Sequence, residues 1–370
     1  MMHVALMIDH LRMGGAQRIL VQLSLELQKR GIDITVISND DRSPVLAEQL
    51  RKAEIPVKYF PGKSLTDLTR LRKLVNYLRS NKIDVIHSNL TYSNILGSIA
   101  GKLAGVPVIV SMHSTDSDKR NFNIFHLKLE SWILRRYTQV ILAHGNAIAE
   151  AHQQRFRKKE IEIIPNTVKV FSHLSESERN LIRRELIPDK TSTILISVGR
   201  MSLPKGYKDL ICAFSRINRK YARTYLVIVG DGFLRDELEE YIRELKLEDQ
   251  ILLVGQREDV PILLGAADIY VSASHWEGMS VAILEAMSAG LPVVATEVGD
   301  NSRVITKETG LLVPPKDIES FTNAIERLLL DRELRKKMGL AGKARIEKEY
   351  NFSSWADKFV DLYERVEALN

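Results

Sequence analysis

The sequence STILISVGRMSLPKGYKDL (192–210) contains the pattern that decides the fold. It begins with a short run, 192–198, that is apolar on both faces of an extended strand, as in parallel strands covered by helices. A loop bounded by Gly199 and Gly206 follows, and a helix-like segment begins at the second glycine. A buried strand, a glycine-containing loop and a helix in this order form the repeating unit of a parallel α/β sheet.

The same alternation of apolar runs and amphipathic segments extends in both directions from this stretch. The predicted strands are 3–8, 32–37, 83–87, 107–112 and 139–143 in one series and 192–198, 224–229, 251–254, 268–272 and 292–295 in a second. The predicted helices are about 16–30, 65–80, 92–104, 206–220, 233–245 and 280–289. This pattern predicts an α/β fold of two doubly wound units. Ligands of such sheets bind beyond the carboxyl ends of the strands, so we expect the two sheets to face a central cleft.

The boundary between the two units is expected near 165–190, where an apolar segment gives way to SHLSESERN (172–180). We therefore predict an N-terminal domain over 1–165, a C-terminal domain over 166–350, and a C-terminal helix over 351–370 that packs back on the N-terminal domain. Five apolar or aromatic residues recur at helical spacing in that last segment, and we interpret them as packing residues: Trp355, Phe359, Leu362, Tyr363 and Val366.

The composition is that of an ordinary globular protein. The 370 residues are 45% hydrophobic and 27% charged, which is enough to form two cores. No apolar run reaches the roughly 18 residues of a membrane-spanning helix, and the first residues, MMHVALMIDH, match a strand better than a signal peptide. A single cysteine, Cys212, excludes an internal disulfide. We therefore expect a cytoplasmic protein.

The net charge of +6 is unevenly distributed along the chain. Residues 1–165 contain 24 Lys and Arg against 15 Asp and Glu, whereas residues 166–370 contain 29 against 32. The excess includes Lys119, Arg120, Lys128, Arg135, Arg136, Arg155, Arg157, Lys158 and Lys159. Solvated helix faces would explain it, and so would a surface that contacts an acceptor or an anionic membrane. Few aromatic residues accompany these charges, so nucleic acid is not an expected partner.

Two glycine-containing loops are candidate phosphate sites. Gly14 and Gly15 follow the first strand at the start of a helix, where the backbone can approach an anion, although a plain strand-to-helix turn fits equally well. After the strand at 192–198, Arg200 and Lys205 provide two cations suited to a diphosphate; two exposed surface cations are the alternative. The dinucleotide pattern GxGxxG is absent, which argues against a dehydrogenase.

Two glutamates and a histidine are further candidates. Glu277 precedes a helix predicted to begin near Ser280, and Glu285 lies inside that helix among apolar neighbours, where a carboxylate is costly without a partner. The backbone amides from Gly278 to Val281 would point at a bound phosphate. His113 follows the strand at 107–112 and would donate to or accept from a sugar hydroxyl, although a loop histidine of no function fits locally as well.

Taken together, these features resemble glycosyltransferase family 4, whose members have the GT-B fold of two Rossmann-like domains. The resemblance covers nearly the whole chain and is carried by GGAQR at 14–18, His113, GR-x4-KG at 199–206, VGDG at 229–232, E-x7-E at 277–285, LEAMSAGLPVVAT at 284–296 and GLLVPPKD at 310–317. The resemblance implies a role for each of these residues. Gly15, Arg200 and Lys205 would hold the donor diphosphate, and Glu285 would bind the ribose. Glu277 with the amides of Met279 and Ser280 would orient the donor sugar, and His113 would contact that sugar from the other domain.

The implied reaction is the retaining transfer of a hexose or N-acetylhexosamine from a nucleotide-sugar to a glycan or lipid-linked acceptor in cell-envelope polysaccharide synthesis. Arg200, Lys205 and Glu277 would be its catalytic residues, with no metal and no other cofactor. UDP-sugars are the first expectation for the donor and GDP-mannose the second. The basic first half favours an acceptor such as a polyprenyl-diphosphate-linked glycan, with the protein at the cytoplasmic membrane face.

The sequence departs from the family pattern at 299–303, where Asp300 replaces a second glycine and Arg303 stands at a glutamate position. EGMS (277–280) also lacks the frequent proline or glycine after its third residue. Asp116-Ser117-Asp118 resembles the metal-binding DxD of the other glycosyltransferase fold, but we do not expect it to bind a metal in this domain. A sugar-nucleotide epimerase of the same fold and a catalytically silent binding protein are the alternatives.

Overall fold

The computed structural model describes residues 1–40, 44–62, 64, 66–115, 124–157, 159–171, 173–189 and 191–369. Its contacts divide the chain into two compact units. The first unit comprises Met1–Asn166 and Ser353–Asn370, and the second comprises Thr167–Phe352. The first unit is therefore discontinuous in sequence.

The first unit contains a parallel sheet covered by helices. Its strands are β1 (His3–Ile8), β2 (Asp33–Ser38), β3 (Val57–Tyr59), β4 (Val85–Asn89), β5 (Val108–Met112), β6 (Val140–Ala143) and β7 (Ile161–Ile163). Its helices are α1 (Gly15–Lys29), α2 (Pro44–Lys52), α3 (Leu68–Ser80), α4 (Thr91–Ala104), α5 (Ile124–Tyr137) and α6 (Asn146–Gln153). The strand order is β3-β2-β1-β4-β5-β6-β7, and all neighbours are parallel.

The second unit repeats this architecture. Its strands are β8 (Thr193–Val198), β9 (Thr224–Val229), β10 (Ile251–Leu253), β11 (Ile269–Ser272), β12 (Val293–Thr296) and β13 (Gly310–Val313). Its helices are α7 (Glu176–Leu186), α8 (Tyr207–Lys220), α9 (Arg235–Glu244), α10 (Val260–Ala266), α11 (Val281–Ser288), α12 (Asn301–Val304), α13 (Ile318–Leu330) and α14 (Arg332–Glu349). The strand order is β10-β9-β8-β11-β12-β13, again parallel throughout.

The predicted fold class of two doubly wound parallel sheets is confirmed. Every predicted strand is present within two residues of its expected ends. The sequence pattern missed β3, β7 and β13, which are three or four residues long and lie at sheet edges. An edge strand is covered on fewer sides, so its residues need not be apolar on both faces.

The last helix, α15 (Phe352–Glu367), joins the first unit. The five apolar and aromatic residues that we interpreted as packing residues are all buried, which confirms that interpretation. On its outer side, Arg30 of the first unit donates from Nε to Asp357 Oδ1 at 2.8 Å. None of the described helices combines the length and the apolar character needed to span a bilayer.

Candidate active site

The candidate site lies at the carboxyl edge of the second sheet, where the strand order reverses. From β8 the chain proceeds outward to β9 and β10 and then returns to place β11 on the other side of β8. The loops after β8 and β11 therefore leave the sheet side by side in opposite directions. A doubly wound sheet binds its ligand at such a switch point.

The loop after β8 holds the two predicted cations. Arg200 is exposed, and its side chain forms no ion pair or hydrogen bond with the part of the chain that the structure describes. A single 3₁₀ turn, Leu203–Lys205, then leads into Gly206, which ends the turn and precedes α8. This turn folds Lys205 back over Gly199, so that a Cβ at position 199 would stand 3.1 Å from Lys205 Cε.

The loop after β11 supplies the partner of Lys205. Lys205 Nζ donates to Glu277 Oε1 at 2.5 Å, and Ser274 Oγ donates to the same oxygen at 2.8 Å. The Lys205 and Glu277 side chains are 22% and 13% exposed, so the pair is largely shielded but still reached by solvent. The structure thus brings together two predicted site residues that are 72 positions apart.

Glycines allow these loops to approach each other closely. Gly206 has φ +61°, and a Cβ there would stand 2.0 Å from the carbonyl oxygen of Ala273 in the loop after β11. Gly299, in the loop after β12, has φ +57°, and a Cβ there would stand 2.3 Å from the carbonyl oxygen of Gly278. The three loops after β8, β11 and β12 are therefore held in contact by backbone that no side chain separates.

Helix α11 begins at Val281, four residues after Glu277, with Ser280 as its N-cap. The first N–H groups of a helix have no partner within it and favour an anion, so the amides around Ser280 and Val281 form the end of the site. Glu285 lies one turn further in and is 6% exposed. Its negative charge and that of Glu277 contribute, after burial, to a pKa of Tyr270 well above its usual range.

At 299–303, where the sequence departs from the family pattern, the negative charge of Asp300 is compensated by Arg303. Asp300 is buried and precedes α12 as its N-cap, and Arg303 Nε lies 3.3 Å from Asp300 Oδ1. The backbone N–H of Asp300 also donates to the carbonyl oxygen of Gly278 at 2.9 Å. The unusual acidic residue is thus part of the connection between the loops after β11 and β12.

Sequence reasoning missed a second polar pair beside the site. His275 Nε2 and Asp209 Oδ2 are 2.8 Å apart, and the backbone N–H of His275 donates to Pro204 O at 2.7 Å. The first contact ties the loop after β11 to helix α8, and the second ties it to the turn that carries Lys205. His275 and Asp209 are 66 positions apart, so no local sequence pattern predicts their contact. Ser274 is recognisable in the sequence only as a polar residue three positions before Glu277.

The predicted residues of the first unit lie at the carboxyl edge of its own sheet. Gly15 is the first residue of α1, after the N-cap Gly14. His113 follows β5, and its Nε2 donates to Oδ1 of Asn89, the last residue of β4, at 2.8 Å. Its ring stacks on His144 with centroids 4.4 Å apart. Burial, followed by the nearby His144 and His87, lowers the pKa of His113 well below the usual range, so this ring is neutral.

A directional hydrogen-bond chain runs beneath His113. His144 Nδ1 faces the carbonyl oxygen of Ile164 at 3.3 Å and must donate to it, so His144 Nε2 accepts from Ser111 Oγ at 3.0 Å. Ser111 in turn accepts from His87 Nε2 at 2.7 Å, and His87 Nδ1 accepts from the hydroxyl of Tyr363 at 2.7 Å. Burial lowers the pKa of His87 to about 3 and that of His144 to about 4, so both imidazoles are neutral at pH 7, as these directions require.

The DxD-like sequence 116–118 lies outside the described residues, as do Lys119, Arg120 and Lys158 of the basic segments.

Comparison with known proteins identifies two family models in tandem. The model described as Glycosyltransferase Family 4 matches residues 13–170, and the model described as Glycosyl transferases group 1 matches residues 178–345. The two matches correspond to the two structural units and together cover most of the chain.

Individual relatives and solved structures agree with the family models. The chain is 29% identical over 380 residues to the UDP-Gal:alpha-D-GlcNAc-diphosphoundecaprenol alpha-1,3-galactosyltransferase of Escherichia coli, covering 98% of this chain and 97% of that one. It is 24% identical to the N-acetyl-alpha-D-glucosaminyl L-malate synthase of Bacillus anthracis, covering 95% and 93%. HepE of Anabaena, solved in complex with UDP and glucose, superposes with a TM-score of 0.89 at 22% identity, covering 99% and 100%.

Proposed function

Because the chain belongs to the family 4, group 1 glycosyltransferases, we propose that it transfers a hexose or N-acetylhexosamine from a UDP-sugar to a glycan or lipid-linked acceptor, with retention of the anomeric configuration. The transfer would serve cell-envelope polysaccharide synthesis. The observation that carries this proposal is the set of loops at the β8–β11 switch point, where Arg200, the Lys205–Glu277 pair and the N-terminus of α11 surround one sheet edge. Such a set of donors suits a diphosphate and a sugar.

The choice of donor is supported by named relatives. The Escherichia coli relative uses UDP-Gal, and HepE was solved with UDP and glucose. The choice of acceptor is supported by the same Escherichia coli relative, which acts on a diphosphoundecaprenol-linked sugar. A UDP-hexose and a lipid-linked glycan are therefore the first pair of substrates to assay.

We propose that the chain's own charges act on the leaving group. As the bond between the anomeric carbon and the phosphate oxygen breaks, negative charge develops on the diphosphate, and Arg200 and Lys205 stabilise it. The acceptor oxygen bonds to the same face of the anomeric carbon, and its proton passes to the departing phosphate oxygen. Glu277 keeps Lys205 oriented and accepts from a donor-sugar hydroxyl. These fixed charges take the part that a metal ion would otherwise have, so we propose a metal-independent reaction.

The remaining site residues bind the donor on this proposal. Glu285 accepts from the ribose hydroxyls, and the amides from Gly278 to Val281, including those of Met279 and Ser280, face the donor sugar and phosphate. Gly15 and His113 of the first unit contact the diphosphate and the sugar, respectively.

The decisive experiment compares three lysine and arginine variants in an assay of UDP release. Arg200→Ala and Lys205→Ala should each lower kcat/KM by roughly 10²-fold, as the loss of one oxyanion donor does. Lys208→Ala is the matched control, because Lys208 is exposed on α8 and pairs with Glu237 instead. Wild-type turnover in both test variants would refute the proposed roles.

Two further arms of the same assay test the finer points. Activity should persist in EDTA, and its abolition would show that a metal ion is required. Incubation with the donor but no acceptor should leave the nucleotide-sugar unchanged, whereas its conversion into an epimer would favour the epimerase alternative. Nuclear magnetic resonance of the product's anomeric centre tests retention directly.

We also propose that helix α5 contacts an anionic membrane surface. Its exposed side chains combine Trp132 (53% exposed) and Leu129 (39% exposed) with the basic residues Lys128, Arg135 and Arg136. Amphipathic aromatic and basic side chains favour the interface of anionic lipid. The protein should co-sediment with phosphatidylglycerol vesicles at low salt, and Trp132→Ala should weaken this binding. Equal recovery with neutral vesicles would contradict the proposal.

A further inference from the structure

Arg70 has a buried guanidinium group with N–H donors that form no hydrogen bond in the described structure. Its side chain is 7% exposed, and its Nε and Nη2 are buried without a hydrogen-bond partner in the described structure. A guanidinium carries five N–H donors, and burying unpaired ones is unfavourable, the more so for a charged group. Buried polar groups in native proteins are rarely left unpaired, so an orphaned arginine points to a missing partner.

The backbone around Arg70 fixes where the guanidinium lies. Arg70 is in the first turn of α3, where its own N–H donates to the N-cap Asp67 Oδ1 at 3.0 Å. The exposed Gly62, which follows β3, covers the side chain: a Cβ at position 62 would stand 2.4 Å from Arg70 Cδ and 3.0 Å from Nη1. Among the described residues, Gly62 thus lies against the guanidinium with room for no side chain of its own.

The guanidinium belongs to the carboxyl edge of the first sheet. Among the charges that act on it is Asp9, which directly follows β1 at that edge, together with Asp67. Neither carboxylate forms a hydrogen bond with it: Asp67 caps α3, and Asp9 accepts from the backbone N–H groups of Ser93 and Tyr92 at the start of α4, at 2.6 and 3.4 Å. Burial outweighs both charges and lowers the pKa of Arg70.

We infer that Arg70 binds an oxyanion, a phosphate or a carboxylate, carried by the acceptor substrate. This inference rests on the proposed function, because it assigns the acceptor to the first unit. A planar guanidinium pairs with such groups through two parallel N–H···O bonds, which would satisfy the two orphaned nitrogens at once. The +9 charge excess of residues 1–165 would attract the same anionic acceptor.

The test uses the full chain saturated with UDP, so that the donor diphosphate site is occupied before a second anion is added. Pyrophosphate and malonate then serve as probes for a phosphate and a carboxylate, and sodium chloride at equal ionic strength serves as the control. One of the two probes should raise the melting temperature of the UDP-bound wild type further. Which probe does so identifies the oxyanion.

Three variants locate the effect. Arg70→Gln should weaken binding of the effective probe by about tenfold or more, the equivalent of losing one or two charge-assisted hydrogen bonds. Gly62→Ala should weaken it as well, because the added methyl group displaces the guanidinium. Arg72→Gln is the matched control, since Arg72 is exposed two positions further along α3. UDP binding should be unchanged in all three.

The outcomes separate this inference from the proposed function. If UDP itself does not stabilise the wild type, the donor assignment fails, whatever the probes do. If UDP binds but neither probe adds stability, or if Arg70→Gln keeps the full increment, the assignment of Arg70 is wrong. Should Arg70→Gln not fold, hydrogen exchange of the wild type decides: the probe must slow exchange in residues 57–72, and protection elsewhere alone would overturn the inference.

Discussion

Lowering the pH from 7 to 5 should cost the first unit about 4 kcal/mol of stability through the two buried imidazoles of His87 and His144. The cause is the chain that runs from Tyr363 through His87 and Ser111 to His144 and ends on a backbone carbonyl. Every ring nitrogen of His87 and His144 already donates or accepts a hydrogen bond. A proton added to either ring would turn its accepting nitrogen into a second donor, which would then face an O–H group. Burial adds to this penalty and lowers the pKa of both imidazoles far below 6.5.

The sign and size follow from proton binding. When a base has a lower pKa in the folded state, the unfolded chain binds more protons below pH 6.5, and stability falls as the pH falls. The loss begins near pH 6.5 and continues to about pH 4 for His144 and about pH 3 for His87. At pH 5 each unfolded imidazole is stabilised by about 2 kcal/mol that the folded one does not share. The lowered pKa of His113 acts in the same direction.

Urea unfolding followed by tryptophan fluorescence measures this loss. The chain has three tryptophans, and in a Trp276→Phe background the remaining two, Trp132 and Trp355, both report on the first unit. His144→Gln in that background removes one titrating ring and should reduce the loss between pH 7 and pH 5 by about 2 kcal/mol. His173→Gln, at an exposed position in the second unit, should leave the loss unchanged.

The test depends on the difference in lost stability between His144→Gln and its parent, and not on the pH dependence of the wild type alone. The pKa of the half-buried Asp9 is raised, chiefly by desolvation, and its protonation opposes the histidines as the pH falls. Comparing His144→Gln with its parent cancels that contribution. If the two proteins lose the same stability between pH 7 and pH 5 while His144→Gln remains folded, the two imidazoles are not held neutral as described.

Three other substitutions give separate expectations. Tyr363→Phe leaves a buried imidazole nitrogen without its donor and should cost about 1–3 kcal/mol in urea unfolding of the first unit; a change near zero would mean that this bond is not formed. Gly206→Ala should destabilise the second unit by more than Gly290→Ala, since both have positive φ but only the first would bring a Cβ within 2.0 Å of a backbone oxygen. Equal costs, measured by Trp276 fluorescence, would show that the loops are not in close contact. Glu277→Gln should lower kcat/KM roughly tenfold or more by releasing Lys205. Glu237→Gln, which removes the exposed partner of Lys208, should leave kcat/KM unchanged. Similar kcat/KM values for the two variants would show that Glu277 has no role in the site.

The central strands and the glycine-bounded loops could be predicted from the sequence because each carries a local signal. A run such as 224–229 is apolar on both faces because helices cover it on both sides, and its ends follow from the polar residues that flank it. The edge strands β3, β7 and β13 have no such signal. The choice of their partners depends on the sheet as a whole.

The residues of the candidate site could be predicted by type, but their pairing could not. Arg200, Lys205 and Glu277 stand out because charged residues follow buried strands, yet nothing local indicates that Lys205 meets Glu277 across two loops. Arg70 is hidden for a related reason: in the sequence it is one of several basic residues of an amphipathic helix, and only burial distinguishes it from its exposed neighbour Arg72.

The position of α15 has a consequence for biosynthesis. The second unit is continuous in sequence and can be complete on the ribosome while the first unit, although translated earlier, still lacks its closing helix. Until residues 353–369 emerge, His87 has no Tyr363, and the surface that will receive Phe359 stays open to solvent and to chaperones. A stop codon before position 353 would therefore remove these contacts from the unit whose other residues are translated first.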